Sequence, residues 1–191
     1  MSLRAKIRGF REIFSGTGRW SELGANGVDD HDMRYNLSDF INAADRRLKI
    51  VAGEFNHRLY DTRKVLYGIE QFLQKPDAMM QIVFGGSLGD YAATEEALKH
   101  GNSDLYNLAV MFPHSLHMYM AERNPRLHYG IADSKSIFFE EPEHNVGSPP
   151  NYLYSIINGL RLVRKFEPRF DDYLEHQTIR LLIAPTATQQ Q

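Results

Sequence analysis

The chain has 191 residues, of which 42% are apolar and 24% charged, a composition that suits one globular domain with an ordinary core and excludes global disorder. Lysine and arginine total 22 against 24 acidic residues, for a net charge of -2, so the chain as a whole is not a polybasic nucleic-acid binder, although a local basic patch stays open. With no cysteine, disulfides, thiolate-held zinc, iron–sulfur clusters and thiol nucleophiles are all excluded.

No apolar run approaches the roughly 20 residues of a spanning helix, and no apolar leader core follows Met1. A cytoplasmic protein without a transmembrane segment is expected.

In chain order, Leu3, Ile7, Phe10 and Phe14 fall on one face of a short helix, with Arg4, Lys6, Arg8 and Arg11 around it. Such a basic amphipathic helix can meet a membrane surface or a nucleic acid. Docking of its apolar stripe on its own domain or on a partner subunit is preferred, because short helices depend on packing. Residues 15–37 are rich in Gly, Asp and Asn and read as a loop. Asp29, Asp30, His31 and Asp32 lack the alternation and glycine of a calcium loop, so they read as a solvated acidic turn.

From position 38 the pattern becomes that of a folded domain. Ser38 can cap a helix lined by Leu37, Phe40, Ile41, Ala44 and Leu48. The run from Leu48 to Gly53 reads as a strand, and Val65, Leu66, Ile69, Phe72 and Leu73 mark a helix opening at Asp61 or Thr62 and closed by Pro76. Met80 to Phe84 is a second strand, stopped by Gly85 and Gly86. Strand, helix and strand with short connections predict a parallel βαβ unit.

A helix over 90–99, a segment around 105–111 and a strand over 115–120 come next. Leu127 to Ala132 and Ser136 to Phe139 form a hairpin turning at Asp133-Ser134-Lys135. Two helices are expected at 152–162 and 170–181, then a polar, Gln-rich tail. The division expected is an N-terminal helix and loop (1–37), an α/β domain (38–184) and a tail (185–191). The fold class is α/β, a mixed sheet with a parallel βαβ core flanked by helices.

Several chemistries can be weighed on this frame. Gly85-Gly86-Ser87-Leu88-Gly89 matches G-x-S-x-G after a strand, but a nucleophile elbow needs a helix starting at the serine, and Asp90 is the better cap. A loop presenting backbone N–H groups to an anion, or a plain loop, fits better. Neither G-x-x-x-x-G-K-[ST] nor G-x-G-x-x-G occurs. His114 and His117 are three apart, which on one strand places them on opposite faces. No metal site and no cofactor are expected.

The stretch Pro125-Arg126-Leu127-His128-Tyr129-Gly130-Ile131-Ala132-Asp133-Ser134-Lys135-Ser136 resembles the catalytic half-motif H-x-K-x-x-x-x-D of the phospholipase D-like superfamily. In register, Asp133 falls on the motif aspartate, His128 on the lysine and Arg126 on the nucleophilic histidine. Ile50 to Asn56 followed by Tyr60-Asp61-Thr62 is similar to the first strand and helix start of that fold, Met80 to Gly85 to its second strand, and Asn158 to Tyr173 to its closing helices. The resemblance covers about 38–181 and implies half of the two-motif enzyme.

It also implies a loss of chemistry. The family's histidine attacks phosphorus to form a phosphohistidine, whereas the Arg126 guanidinium stays protonated with no usable lone pair. The downstream G-S-x-N is missing, since Gly147-Ser148-Pro149-Pro150-Asn151 has one residue too many. A slipped register with His128 as nucleophile puts Gly130 at the lysine and Lys135, seven residues on, at the aspartate.

Arg126, His128 and Lys135 can hold a phosphate or carboxylate by charge-assisted hydrogen bonds; equally, Arg126 can pair with Glu54 or Asp133 and leave no open site. The resemblance therefore implies a non-enzymatic binding, sensing or adaptor domain, a homodimer whose motif faces form a cleft for an anionic, phosphate-containing ligand, a nucleic-acid backbone or a protein partner. Candidate ligand-binding residues are Arg126, His128, Asp133, Lys135, Glu54 and Asn56. One alternative is a metal-independent phosphodiesterase or nuclease using His128; another is docking to a membrane or nucleic acid through the basic N-terminal helix.

Overall fold

Alternation sorts the central strands into two faces. Leu48, Ile50 and Ala52 point one way with Met80, Ile82, Phe84, Leu116, Met118 and Met120, all buried in one core cluster. Val51, Val83, Tyr119 and Ala121 point the other way into a second cluster. A sheet apolar on both faces needs helices on both. The computed structural model describes residues 19–23, 37–54, 60, 62–85, 96, 99–100, 103–121, 125, 128–140, 153–157 and 159–180.

The strands are β1 (Arg19–Leu23), β2 (Arg47–Glu54), β3 (Met79–Gly85), β4 (Leu116–Ala121), β5 (Tyr129–Ala132), β6 (Ser136–Glu140), β7 (Leu153–Ile157) and β8 (Thr178–Arg180). They form one sheet in the order β1-β7-β6-β5-β2-β3-β4-β8. β2, β3 and β4 run parallel at its centre; every other neighbour pairing is antiparallel. The expected βαβ unit is thus present, and a second parallel step extends it to β4.

Three helical segments cover the first face: α1 (residues 37–42), α2 (Arg63–Leu73) and α3 (Ser103–Met111). They bury Leu37, Phe40 and Ile41 from α1, Val65, Ile69 and Phe72 from α2, and Leu105 and Ala109 from α3. Ser38 lies inside α1 rather than capping it. It is buried, and its hydroxyl approaches the Lys64 carbonyl at 3.5 Å. A Cβ on Gly68 would stand 3.3 Å from Asn42 Oδ1, so the missing side chain lets α2 lie close to α1.

The second face is covered by α4 (Leu160–Gln177), whose Leu162, Val163 and Phe170 are buried with Phe166, Tyr173 and Leu174 packed beside them. One side chain of the sheet fastens it. Lys49 of β2, only 12% exposed, reaches Glu167 at 3.1 Å and Asp171 at 2.7 Å, and its ammonium lies 5.5 Å from the Phe170 ring centre.

Three sequence expectations need correction. Residues 15–37 are not all loop, because β1 lies within them and pairs with β7. The helix expected at 152–162 is instead β7, a short apolar run paired on both sides, followed by Gly159 and the start of α4. The helix expected from 170 begins at Leu160 and runs through Pro168. Pro168 is exposed, so its ring stays out of the core and the buried spacing continues unbroken.

The strand expected over 115–120 starts at Leu116, and the segment around 105–111 is α3. The basic helix of residues 2–14, the acidic turn at 29–32 and the tail lie outside the described residues, as does most of the helix expected over 90–99, of which 96 and 99 are helical. No helix among the described residues is long and apolar enough to cross a membrane.

Phe170→Ala removes the side chain that seats α4 on the sheet and should cost about 3–5 kcal/mol in urea unfolding. A loss below about 1 kcal/mol would contradict this packing.

Candidate functional site

The pairing of β5 with β2 sets the geometry of the candidate site. Tyr129 lies opposite Val51 and Ala132 opposite Leu48, so β5 starts at the C-terminal edge of the parallel strands and ends at their N-terminal edge. His128, half-buried, immediately precedes β5. It therefore stands where β2, β3 and β4 finish, the edge at which open parallel sheets hold ligands. Asp133 comes directly after β5 at the other edge. The four residues of β5 separate them, five steps of about 3.3 Å and so about 16 Å.

The C-terminal edge has a further local feature. The register between β2 and β3 shifts between Val51 and Glu54, and Glu54 then pairs with Gly85. Such irregularities bend a strand end and re-aim the side chains beyond it. Glu54 thus reaches the same edge as His128, beside the glycine that opens the Gly85-Gly86-Ser87-Leu88-Gly89 stretch. Arg126, Asn56 and residues 86–90 lie outside the described residues.

Asp133 and Lys135 belong to the opposite edge. The Asp133 carboxylate accepts three successive backbone N–H groups, from Asp45 at 2.6 Å, Arg46 at 2.8 Å and Arg47 at 2.9 Å. Its own N–H donates to the Arg47 carbonyl at 2.9 Å. Partial burial pushes this carboxyl upward, but the three N–H donors and nearby Lys135 outweigh it and hold the group below its ordinary value.

The turn itself demands this fastening. Asp133 and Ser134 have φ of 51° and 56°, left-handed conformations at both central positions of a tight hairpin turn closed by the Lys135 N–H on the Ala132 carbonyl. Aspartate tolerates that region better than most residues, and the carboxylate clamp overdetermines it. Ser134 also donates to Glu167 at 2.8 Å, tying the turn to α4. The expectation that Lys135 joins His128 in one cationic cluster is therefore corrected, since Lys135 is exposed at the far end of the hairpin.

Between the two edges the motif strand is structural. A Cβ on Gly130 would meet the Phe40 ring at 3.1 Å, so glycine there lets α1 press onto β5. Tyr129 packs its ring 5.3 Å from that of Phe166. Burial raises its hydroxyl pKa, against a smaller lowering by Arg169, so the group stays protonated.

His114 precedes β4 instead of sharing the strand with His117, which lies half-buried on the α4 side with its ring 6.5 Å from that of Tyr119. Among the described residues no group of three or more His, Asp or Glu could hold a metal ion. The Lys49, Glu167 and Asp171 cluster escaped sequence reading; its signal was a lysine inside the apolar run 48–52.

No protein-family model matches the chain, and no curated protein does. Solved structures do. Nuc from Salmonella typhimurium, a phospholipase D family member, superposes with a TM-score of 0.58 at 11% identity, covering 85% of this chain and 97% of that one. NucT from Helicobacter pylori gives 0.55 at 14%, covering 85% and 99%. TrmBL2, an archaeal chromatin protein with a novel mode of DNA binding, gives 0.57 at 14%, covering 92% of this chain, which spans 62% of that protein's length.

Asp133→Ala should cost about 2–3 kcal/mol by removing charge-assisted bonds to three N–H groups. A carboxyl lowered on folding adds stability above its unfolded pKa and loses it as pH falls toward the folded value. The stability gap between wild type and Asp133→Asn should thus be full above about pH 5 and close as pH drops below about 4. A gap that does not change with pH would show that the carboxylate is not the clamp.

Proposed function

We propose that this chain, whose fold is phospholipase D-like, is a binding domain for a phosphate-containing ligand and does not turn it over through a phosphohistidine. The observation that carries the reading is the polarity of the motif strand. His128 stands at the C-terminal edge of the parallel strands, two residues after Arg126, while Asp133 is spent on the backbone at the other edge.

At the motif's histidine position the chain has Arg126. A guanidinium cannot attack phosphorus, yet its planar donors fit two phosphate oxygens at once. In this reading Arg126 is the principal anion ligand, His128 adds a second donor, and Glu54 and Asn56 shape the edge around them. A homodimer pairing through this edge would close a cleft over the ligand. Nuc and NucT, whose chains match this one over nearly their full length, support a single-copy domain as the functional size.

His128 at this edge is also the imidazole that could serve as a nucleophile, so the same experiment separates the two readings. Hydrolysis of bis(p-nitrophenyl) phosphate and of labelled single-stranded DNA is assayed in chelator for wild type and His128→Ala, alongside calorimetric titration with the dinucleotide d(TpT). No turnover is expected from either protein. Arg126→Ala should weaken d(TpT) binding at least about tenfold, the loss of one charge-assisted bidentate contact, with the melting temperature unchanged. Turnover that disappears in His128→Ala would overturn the binding reading, and unchanged affinity in Arg126→Ala would overturn the site.

A further inference from the structure

The charges of α4 are distributed against its own dipole. Arg161, Arg164 and Lys165 are exposed in its first half and Arg169 at its middle, no acidic residue occupies the first turn, and Asp171, Asp172 and Glu175 lie in the last turns. Cations near a helix N-terminus and anions near its C-terminus are the unfavourable arrangement. Arg161 stands three and four residues from Arg164 and Lys165, and Lys165 four from Arg169, so neighbours on this face also repel one another. Apart from Arg169, whose guanidinium lies 5.6 Å from the Phe166 ring centre, folding gains little from such a face.

Nor is the charge neutralised locally. Among the described residues no ion pair engages Arg161, Arg164 or Lys165. Glu167, the one acid in this half, is turned inward to Lys49 and Ser134. The Ser134 contact brings the β5–β6 turn against the helix, and with it exposed Lys135. The Asp133 clamp adds exposed Arg47. A chain of net charge -2 thus gathers a one-sided basic surface along α4 and the N-terminal edge of the sheet, away from His128.

We infer that this surface is a second binding site, one that docks the sugar-phosphate backbone of a nucleic-acid duplex without reading sequence. Four of these six cations are arginines, whose forks match phosphate oxygens. Along the helix, Arg161, Lys165 and Arg169 recur about every 6 Å, from the 1.5 Å rise per residue, on a rigid element that needs no ordering on binding. Among the described residues no exposed aromatic side chain accompanies them to stack on bases. A lipid surface is the poorer fit, because a membrane-docking helix turns its apolar face outward. Here that face is on the sheet, and only Leu160, 49% exposed, lies beside the basic residues.

The test is fluorescence anisotropy with a labelled 20-base-pair duplex of mixed sequence, between 50 and 200 mM salt, on the full chain and on the triple variant Arg161→Gln, Arg164→Gln, Lys165→Gln. Wild type should bind with micromolar Kd at the low-salt end, and shuffling the sequence should change nothing. The variant should bind at least about tenfold more weakly, with a log-log salt slope shallower by about 2–3. Its melting temperature should hold or rise, because repulsion has been removed, and its d(TpT) affinity should stay as in wild type.

Equal duplex affinity in the two proteins would overturn the proposal. So would absent duplex binding combined with variant-sensitive binding to vesicles containing 30% phosphatidylserine. The triple variant should keep the d(TpT) affinity that Arg126→Ala loses, so failure at this surface and failure at the motif edge are told apart.

Discussion

A single carboxylate fixes how the two halves of the sheet meet. β5 brings Asp133 to the point where α1 hands over to β2, and there three consecutive N–H groups converge on its two oxygens. The turn that receives those donors carries two non-glycine residues in left-handed conformations. Each side thus supplies what the other lacks: the nest of N–H groups needs an anion, and the turn needs an anchor. The register of β5 on β2 is set by this fastening, and with it the placement of His128 at the opposite edge. Lys49 performs the corresponding task for α4, joining the middle of β2 to two acids on the helix.

This division gives the motif strand two ends with different work. Its far end is consumed by folding, through Asp133 and Ser134. Its near end, at His128, stands at the edge where β2, β3 and β4 finish. A family motif that spans both ends therefore mixes a structural residue with ligand-facing ones, and the residue types can diverge independently. Under the proposed function, keeping Asp133 while Arg126 stands at the histidine position preserves the sheet and removes the phosphohistidine chemistry. Fold likeness at 11–14% identity is what such separation permits.

How much of this was legible in the sequence depended on whether the signal was local. Leu48 to Gly53, the α2 stripe and Met80 to Phe84 carry strong periodicity between clear breakers, and these sufficed for the βαβ unit. The hairpin was visible from its alternation and from an aspartate at its turn. β7 was not, because Leu153–Ile157 is a short apolar run whose type is decided by β6 and β1 on either side. β1 hid in a glycine-rich segment for the same reason. The helix expected from 170 starts ten residues earlier, because the buried spacing of Val163, Phe166 and Phe170 runs on through Pro168. Asp133 stands out in the sequence as a turn residue, but no sequence pattern shows that its carboxylate accepts backbone N–H groups 86–88 residues away.

The two-ended motif strand is tested most directly by nuclear magnetic resonance, monitoring backbone and imidazole signals of the labelled protein during titration with d(TpT). Shifts should concentrate at His128, at the ends of β2, β3 and β4 and around Arg126, with the amides of residues 45–47 and 133–135 unmoved. Shifts centred on the Asp133 turn, or saturable binding that leaves His128 untouched, would contradict the assignment of ligand and anchor to opposite edges of the sheet.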